Sequence, residues 1–431
     1  MPWYRREKIM SNTVLSKPLS RLSRRAALGM PAALAFAGSA IASERKRIAT
    51  VITEYRLNSH ADCYVTWLLE GYYHNGRLRR PDVQVVSMYT DQVPENDMSR
   101  YMAEKHRIKI FKTVREALTL GGSELDVDGV VFIGEHGNYA WNIKGQKLYP
   151  RYFLFRQIVD VFRKSGRSVP VFFDKHFSYD WDEAKWIYDQ ARELDIPMIA
   201  GSCLPLTWRR PPLELELESP VEKAVVSWYG GKESYGFHGL ETLQCMVERR
   251  DGGETGISAV QCLEGPEVWK WTDANPWAKR LLDESLSRCT EQTPGSPRDN
   301  VKMPIVFVLD YRSGLKAAVY LLSGHVKSAS FAADLRGKDK PVSTEMWCQW
   351  VRPWGHGHKF AYYIDDLLVT GKPSYPVERT LLTTGAIAAL MDSSFKKGRM
   401  LETPHLNITY RAQKESLFDR GPVPPPESKT G

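Results

Sequence analysis

The chain has 431 residues, 42% of them hydrophobic and 26% charged, so it is too long for one compact core and is not globally disordered. Its formal charge of +8 is concentrated in residues 1–43, which hold seven Lys/Arg and one Glu. The remainder is nearly balanced, and the composition does not indicate a nucleic-acid partner. Six scattered cysteines without C-x-x-C spacing indicate buried free thiols, not a zinc cluster or a disulfide framework.

Residues 1–43 are predicted to be an export signal. Arg24 and Arg25 precede an alanine-rich apolar run that ends in the small-residue sequence Ala40-Ile41-Ala42. A paired arginine before a modest apolar stretch is typical of the twin-arginine pathway, which exports folded proteins. We expect the twin-arginine translocase as a partner and a periplasmic or secreted location; an N-terminal membrane anchor is the alternative.

Strands and helices alternate over residues 44–205, which predicts a Rossmann-like, doubly wound parallel sheet. The expected strands cover 47–52, 83–89, 109–111, 127–133, 169–173 and 197–201. The expected helices cover 61–71, 98–106, 114–120, 152–165 and 182–194.

Longer alternating strands follow and predict a second, C-terminal α+β domain over residues 206–420, with a large, mostly antiparallel open sheet. The expected strands cover 213–218, 257–264, 305–311, 316–323 and 326–335, with helices at 239–249 and 377–397 on one side. The proline-rich residues 421–431 are predicted to be a disordered tail.

The strand at 169–173 ends in Asp174-Lys175-His176, before an amphipathic helix and a further apolar strand. In open α/β sheets the ligand crevice lies beyond the carboxyl ends of the strands, so Lys175 is placed where a substrate binds. This pattern resembles the glucose-fructose oxidoreductase and inositol dehydrogenase family (Gfo/Idh/MocA), whose triplet is usually E-K-P. Phe237-His238-Gly239-Leu240-Glu241 is similar to that family's H-x-x-D helix start, with Glu in place of Asp.

The resemblance implies an NAD- or NADP-dependent oxidation or reduction of a carbohydrate or polyol. It places Lys175 and His238 at the reacting carbon, with His238 as the base. Glu241 lies one helical turn after His238 and is expected to orient the imidazole or to bind a second hydroxyl. The resemblance also implies a homodimer or tetramer formed through the open sheet.

The expected cofactor site departs from the family because residues 53–61 contain no G-x-G-x-x-G and no glycine. Arg56 and Ser59 are the candidates for holding a pyrophosphate, and Asp91 is the candidate for a ribose. Other candidate cofactor residues at the same sheet edge are Glu135, His136 and Asp174. Side chains in this loop hinder close approach of a pyrophosphate, so loss of the cofactor is an open alternative.

Two further alternatives follow from the same sheet edge. His60, His136 and His176, each after a strand, would form a divalent metal site if they converge, as in a metal-assisted lyase, isomerase or hydrolase. A non-catalytic sugar-binding protein is the other alternative. Residues 354–358, reading W-G-H-G-H, are predicted to form a loop near the cleft or at a subunit edge.

Overall fold

The structure is a computed structural model, and it describes residues 45–427. These residues belong to one compact unit that begins at Arg45. The predicted export signal at residues 1–43 lies outside the described residues. Between residues 45 and 427, no helix combines the length and the apolar character needed to cross a membrane.

The first half of the described chain confirms the predicted alternation. Its elements are β1 (Lys46–Glu54), α1 (His60–Glu70), β2 (Tyr72–His74), β3 (Arg77–Arg79), β4 (Val83–Gln92), α2 (Ser99–His106), β5 (Lys109–Ile110), α3 (Val114–Thr119), β6 (Gly129–Ile133), α4 (Arg151–Ser165), β7 (Val171–Asp174), α5 (Trp181–Glu193) and β8 (Met198–Gly201). Six of these strands form a parallel sheet in the order β5-β4-β1-β6-β7-β8. The strand order reverses at β1 and β6, which places the ligand crevice at their carboxyl ends.

Local sequence explains the elements that carry the site. Every residue of β6 is buried, as expected for a parallel strand covered on both faces. The Asp180 side chain accepts hydrogen bonds from the amides of Asp182 and Glu183 and so begins α5 after β7. Ser59 begins α1 in the same way by accepting from the amide of Asp62.

The second half contains a large mixed sheet. Its elements are β9 (Trp208–Arg210), β10 (Val221–Trp228), α6 (Ser234–Val247), β11 (Ile257–Glu264), α7 (Pro266–Ala274), α8 (Pro276–Arg288), α9 (Pro297–Asn300), β12 (Ile305–Tyr311), β13 (Lys316–Leu321), β14 (Ala329–Leu335), β15 (Val342–Trp347), α10 (His358–Thr370), α11 (Glu378–Phe395) and β16 (Leu401–Glu402). The sheet order is β16-β11-β12-β13-β10-β14-β15-β9, and only β10 and β13 pair in parallel. The predicted large, mostly antiparallel sheet is confirmed.

Helices cover both faces of this sheet. α6 and α11 pack on one face through a core that includes Phe237 and Leu390, and α8 packs on the other through Leu281 and Leu282.

The predicted strand at 213–218 is wrong, because this segment is irregular. α7 and α8 pack on the face of the sheet opposite α6 and α11, and the oligomer stays a prediction.

The chain returns to the first sheet after the second one is complete. Phe360, Ile364 and Leu367 of α10 belong to the same core cluster as Ile48 of β1 and Val65 of α1. The strands of the first sheet all lie within residues 44–205, but the helical layer that packs on it also includes α10. The division of the chain into two domains at residue 205 stays a prediction.

The predicted disorder is wrong for residues 421–427. The Trp208 indole donates to the Gly421 carbonyl at 2.7 Å, and the Gln349 amide donates to the Pro424 carbonyl at 2.8 Å. The six cysteines carry free thiols, as predicted; five are buried and Cys63 is partly exposed.

Candidate active site

A cavity of about 390 Å³ opens beyond the carboxyl ends of the parallel strands. This volume lies within the range of about 300–1,000 Å³ that is usual for small-molecule sites. Asn58, His136, Lys175 and Trp354 line the cavity, and all four have left-handed backbone conformations, with φ between 59° and 70°. Such conformations are costly for residues with a Cβ and concentrate at functional sites.

Lys175 and His238 form a direct pair on the cavity wall. Lys175 follows β7, His238 lies in the second turn of α6, and Nζ is 2.6 Å from Nε2. Burial, reinforced by the Lys175 ammonium, holds the pKa of His238 well below its usual range, so the imidazole is neutral at pH 7. An ammonium only donates, so Nε2 accepts from Lys175 and the imidazole proton lies on Nδ1.

Ser202 fixes the other side of the His238 ring. Its Oγ lies 2.6 Å from Nδ1 and also accepts from the Leu204 amide at 3.1 Å. Ser202 follows β8, so the ring is held between the ends of two neighbouring strands. Ser202 was not among the predicted site residues, because an isolated serine after a strand carries no distinctive signal in the sequence.

Glu135 and Arg151 form a buried ion pair next to Lys175. Arg151 donates to a Glu135 carboxylate oxygen, and the other oxygen accepts from Ser234 at 3.1 Å and lies 4.0 Å from Lys175 Nζ. Burial raises the pKa of Glu135, but Lys175 and then Arg151 outweigh it and hold the pKa well below its usual range. The carboxylate therefore stays ionised, with one oxygen 4.0 Å from the Lys175 nitrogen.

His60 and Asp174 form a second pair on the same cavity. His60 Nδ1 lies 2.7 and 2.9 Å from the two carboxylate oxygens of Asp174, which is fully buried at the end of β7. The His136 ring meets the His60 ring edge to face, with centroids 5.2 Å apart. Burial, followed by repulsion from His60, lowers the pKa of His136 to about 3, so His136 is neutral at pH 7.

Aromatic side chains form the rest of the wall. They are Tyr64, Trp67, Trp228, Tyr229, Tyr235, Trp350 and Trp354. The indole nitrogens of Trp228 and Trp354 are buried and have no hydrogen-bond partner among the described residues. Trp354, His356 and Gly357 line the cavity, which confirms the prediction that the W-G-H-G-H segment lies near the cleft.

Glu241 is not placed where the sequence predicted. It is buried behind the strand ends, where Oε1 accepts from the Thr383 hydroxyl at 2.5 Å and Oε2 accepts from the Ser202 amide at 3.4 Å. Gly201 makes this approach possible, since a Cβ there would lie 2.5 Å from Oε2. Glu241 therefore supports the Ser202 backbone, and Ser202 contacts His238.

The predicted convergence of three histidines does not occur. His176 is buried on the far side of Lys175, where its Nε2 lies 3.1 Å from Arg151 and 3.8 Å from Glu233. From Arg45 to Glu427, no group of three His, Cys, Asp or Glu side chains has the geometry of a metal site.

Solved structures share this architecture. GenD2 from gentamicin A biosynthesis, crystallised in complex with NAD, matches with a TM-score of 0.52 and 13% identity, covering 84% of this chain and 97% of GenD2. A probable dehydrogenase from Thermotoga maritima has a TM-score of 0.51 and 11% identity, covering 84% and 99% of the two chains. The apo scyllo-inositol dehydrogenase from Lactobacillus casei has a TM-score of 0.51 and 11% identity, covering 83% and 98%. The chain has the Gfo/Idh/MocA dehydrogenase fold. No protein-family model matches its sequence, and no curated protein matches it significantly.

The Gfo/Idh/MocA fold implies a nicotinamide dinucleotide whose pyrophosphate rests on the first helix. Here the Asp62 carboxylate takes that position: it accepts from the Asn58 amide at 2.8 Å and from Arg352 at 2.6 Å. The Ser59 hydroxyl accepts from the Asp62 and Arg56 amides, and the Arg56 side chain is bound to Glu54 at 2.5 Å. Ser59 and Arg56, which were predicted to hold a phosphate, are therefore bound to other residues of the protein.

On the ribose side of this crevice, the predicted ligand Asp91 is bound by other residues at the protein surface. Both Asp91 oxygens accept from tyrosine hydroxyls, those of Tyr89 at 2.9 Å and Tyr139 at 2.6 Å. Asn138 and Gln92 exchange two hydrogen bonds, so the segment after β6 crosses the end of β1 to reach β4. The residues present do not fit a dinucleotide bound in the usual position of the Gfo/Idh/MocA fold.

Proposed function

We propose that the protein is an enzyme that binds a sugar or polyol in the aromatic cavity and, when the ligand is a sugar with a carbonyl group, transfers a proton at the carbon next to that carbonyl. The observation that carries this proposal is the 2.6 Å contact between Lys175 Nζ and His238 Nε2 on the cavity wall. A neutral imidazole beside a lysine side chain is the pair that such a proton transfer needs.

The chemistry follows from the two side chains. In a hydroxy-carbonyl sugar, the C–H bond next to the carbonyl breaks, its electron pair forms an enediolate, and the proton goes to His238 Nε2, which gives up its hydrogen bond with Lys175 when the sugar binds. The charge that develops on the carbonyl oxygen lies beside the Lys175 side chain. The isomerisation is complete when the neighbouring hydroxyl has lost its proton, the former carbonyl oxygen has gained one, and His238 has returned its proton to the former carbonyl carbon, and no electron acceptor takes part.

The aromatic wall supports a carbohydrate as the substrate class. Trp228, Trp350 and Trp354 present flat apolar surfaces to the cavity, and the C–H face of a sugar ring packs on such surfaces. The polar side chains of His60, Lys175 and His238 line the same cavity and supply hydrogen-bonding groups for hydroxyl oxygens.

The second candidate is the nicotinamide-dependent oxidation of the same substrates. The fold favours it, as does the Lys175–His238 pair, because removal of a hydroxyl proton also needs a base beside a cation. It requires a hydride acceptor, and the contacts of Asp62, Asp91 and Asn138 disagree with a bound dinucleotide. This candidate therefore predicts that the hydrogen bonds of Asp62, Asp91 and Asn138 break when a dinucleotide binds.

Calorimetric titration with aldoses, ketoses and polyols, followed by NMR detection of deuterium incorporation in D2O, tests the proposal. We expect binding of at least one sugar or polyol and exchange of a carbon-bound proton, with exchange lost in Lys175→Ala and His238→Ala. The surface variant His106→Gln is the matched control and should behave as the wild type. Binding of none of these compounds, or unchanged exchange in both alanine variants, would overturn the proposal.

Export by the twin-arginine pathway is part of the same proposal. Replacement of Arg24 and Arg25 by lysine should retain the full-length protein in the cytoplasm of a host with this pathway. The matched control is Arg21→Lys, and cell fractionation provides the measurement. Equal export of the double variant and the control would overturn it.

A further inference from the structure

The pair His60 and Asp174 lies on the cavity but takes no part in the step assigned to Lys175 and His238. His60 is the first residue of α1, whereas His238 comes from α6, so the two imidazoles enter the cavity from separate elements. His60 is partly exposed, with 23% of its side chain accessible, while Asp174 is 1% exposed. The accessible part of the pair is therefore the imidazole.

The hydrogen bonds determine which nitrogen faces the cavity. Asp174 is within 2.9 Å of His60 Nδ1 through both oxygens, and an ionised carboxylate only accepts. The proton of a neutral His60 ring therefore lies on Nδ1, and Nε2 carries the lone pair. No described residue forms a hydrogen bond with Nε2, and this atom is not among the buried polar atoms that lack partners.

The burial of Asp174 favours a functional explanation of the pair. A carboxylate removed from water is costly unless it is paired, and His60 is the one side chain among the described residues that forms a hydrogen bond with it. A buried carboxylate that fixes the tautomer of an accessible histidine is a recurrent arrangement for acid–base catalysis. A structural ion pair would not require the imidazole to reach a cavity.

We propose that His60 is a second proton-transfer group of the cavity and that Asp174 is its positioning residue. This inference rests on the proposed function and deepens it. While His238 moves the proton between two carbons, His60 Nε2 accepts the proton of the neighbouring hydroxyl and returns it to the former carbonyl oxygen. One O–H bond breaks and one forms, so the sum of both transfers is an aldose–ketose interconversion without a redox partner.

The two roles are separated by measuring two rates on one sugar. For the wild type we expect both deuterium exchange at carbon and aldose–ketose interconversion. His238→Ala should lose both. His60→Gln should keep its sugar affinity within about threefold and should slow interconversion by about 100-fold or more, with a smaller effect on exchange. Unchanged interconversion in His60→Gln, with the sugar bound, would overturn the role of His60 and leave the proposed function intact.

A spectroscopic measurement tests the pair independently of any substrate. Long-range 1H–15N correlation spectra of the histidine rings should show the His60 proton on Nδ1 in the wild type. In Asp174→Asn the proton should move to Nε2, because the amide is able to donate to Nδ1. His106→Gln assigns a surface ring as the control. A His60 tautomer with the proton on Nε2 in the wild type, or no change in Asp174→Asn, would overturn the proposal even if no sugar turns over.

Discussion

Arg352 donates to the Asp62 carboxylate at 2.6 Å, and Asp62 lies in the first turn of α1. The two residues are 290 positions apart, and the contact ties the segment before α10 to the start of the parallel sheet's first helix. The carboxylate lies where this fold presents amides to a pyrophosphate. The Asp62 carboxylate, an anion of the protein itself, is thus bound at the helix start where this fold usually binds the pyrophosphate of a ligand.

This contact predicts that the purified protein does not bind NADH or NADPH. Titration up to about 1 mM, the upper end of usual Michaelis constants, should give no saturable change in nicotinamide fluorescence. GenD2, which was crystallised with NAD, is the positive control under identical conditions. Saturable binding would show that the Asp62, Asp91 and Asn138 contacts open, and would promote the redox candidate over isomerisation.

The second prediction concerns the support of His238. Ser202→Ala removes the hydroxyl that holds Nδ1 and leaves the ring free to rotate away from Lys175. We expect the proton-exchange rate to fall by at least about tenfold with little change in sugar affinity, because outer hydrogen bonds orient the reacting group. Ser202→Thr keeps the hydroxyl and should recover most of the rate. Equal rates in the alanine and threonine variants would argue against this role.

A third prediction follows from Glu241. Burial raises the pKa of its carboxyl to about 7, although Arg379 and Thr383 act in the opposite direction. The folded state therefore holds a proton that the unfolded chain loses near its ordinary pKa of about 4.3. Stability from this proton is fully present below that pH and is lost as the pH rises toward 7, by at most about 1.4 kcal/mol per pH unit.

Glu241→Gln tests this dependence, since the amide keeps an acceptor for Thr383 and cannot titrate. Denaturant unfolding at several pH values between about 4.5 and 7 should show the wild type losing stability relative to the variant as the pH increases. A constant difference between the two proteins across this range would contradict the raised pKa.

The sequence predicted that Lys175 and His238 lie together but not what surrounds them. Lys175 and His238 were found through motifs that are local in the chain, and local patterns survive at low identity. Their contact with Ser202 depends on β8 lying beside β7 and on Gly201 admitting Glu241, which only the folded sheet shows. The pairing of His60 with Asp174, 114 residues away, likewise depends on the cap that begins α1.

The fold was predicted best where periodicity was strong. Strands at 257–264 and 305–311 were predicted with their observed bounds, whereas the start of α6 was placed five residues too late. Gly236 lies outside the predicted helix but inside the observed one, and Gly239 was predicted to begin it; a Cβ at these positions would collide with Phe307 and Val319, respectively. Close helix–sheet packing therefore overrides the low helix propensity of glycine.

The fourth prediction concerns residues 421–427, which brace the cavity from outside. Besides the contacts of Gly421 and Pro424, the Glu427 amide donates to the Arg352 carbonyl at 3.0 Å. Gln349, which holds Pro424, also accepts from the Gly355 amide at 3.0 Å. The C-terminal segment thus fixes residues 349–357, which carry two of the cavity's tryptophans.

Deletion of residues 421–431 should therefore destabilise the protein by about 2–3 kcal/mol, since three hydrogen bonds of about 1 kcal/mol each are lost. It should also weaken sugar binding and shift the tryptophan emission to longer wavelength as Trp350 and Trp354 become hydrated. Trp208→Phe removes the indole bond to Gly421 and part of a buried ring that packs on Trp347, and it is the control for stability alone, with an expected loss of about 1–2 kcal/mol. If the deletion variant has the stability, the emission and the sugar affinity of the wild type, residues 421–427 are not needed to hold residues 349–357 in place.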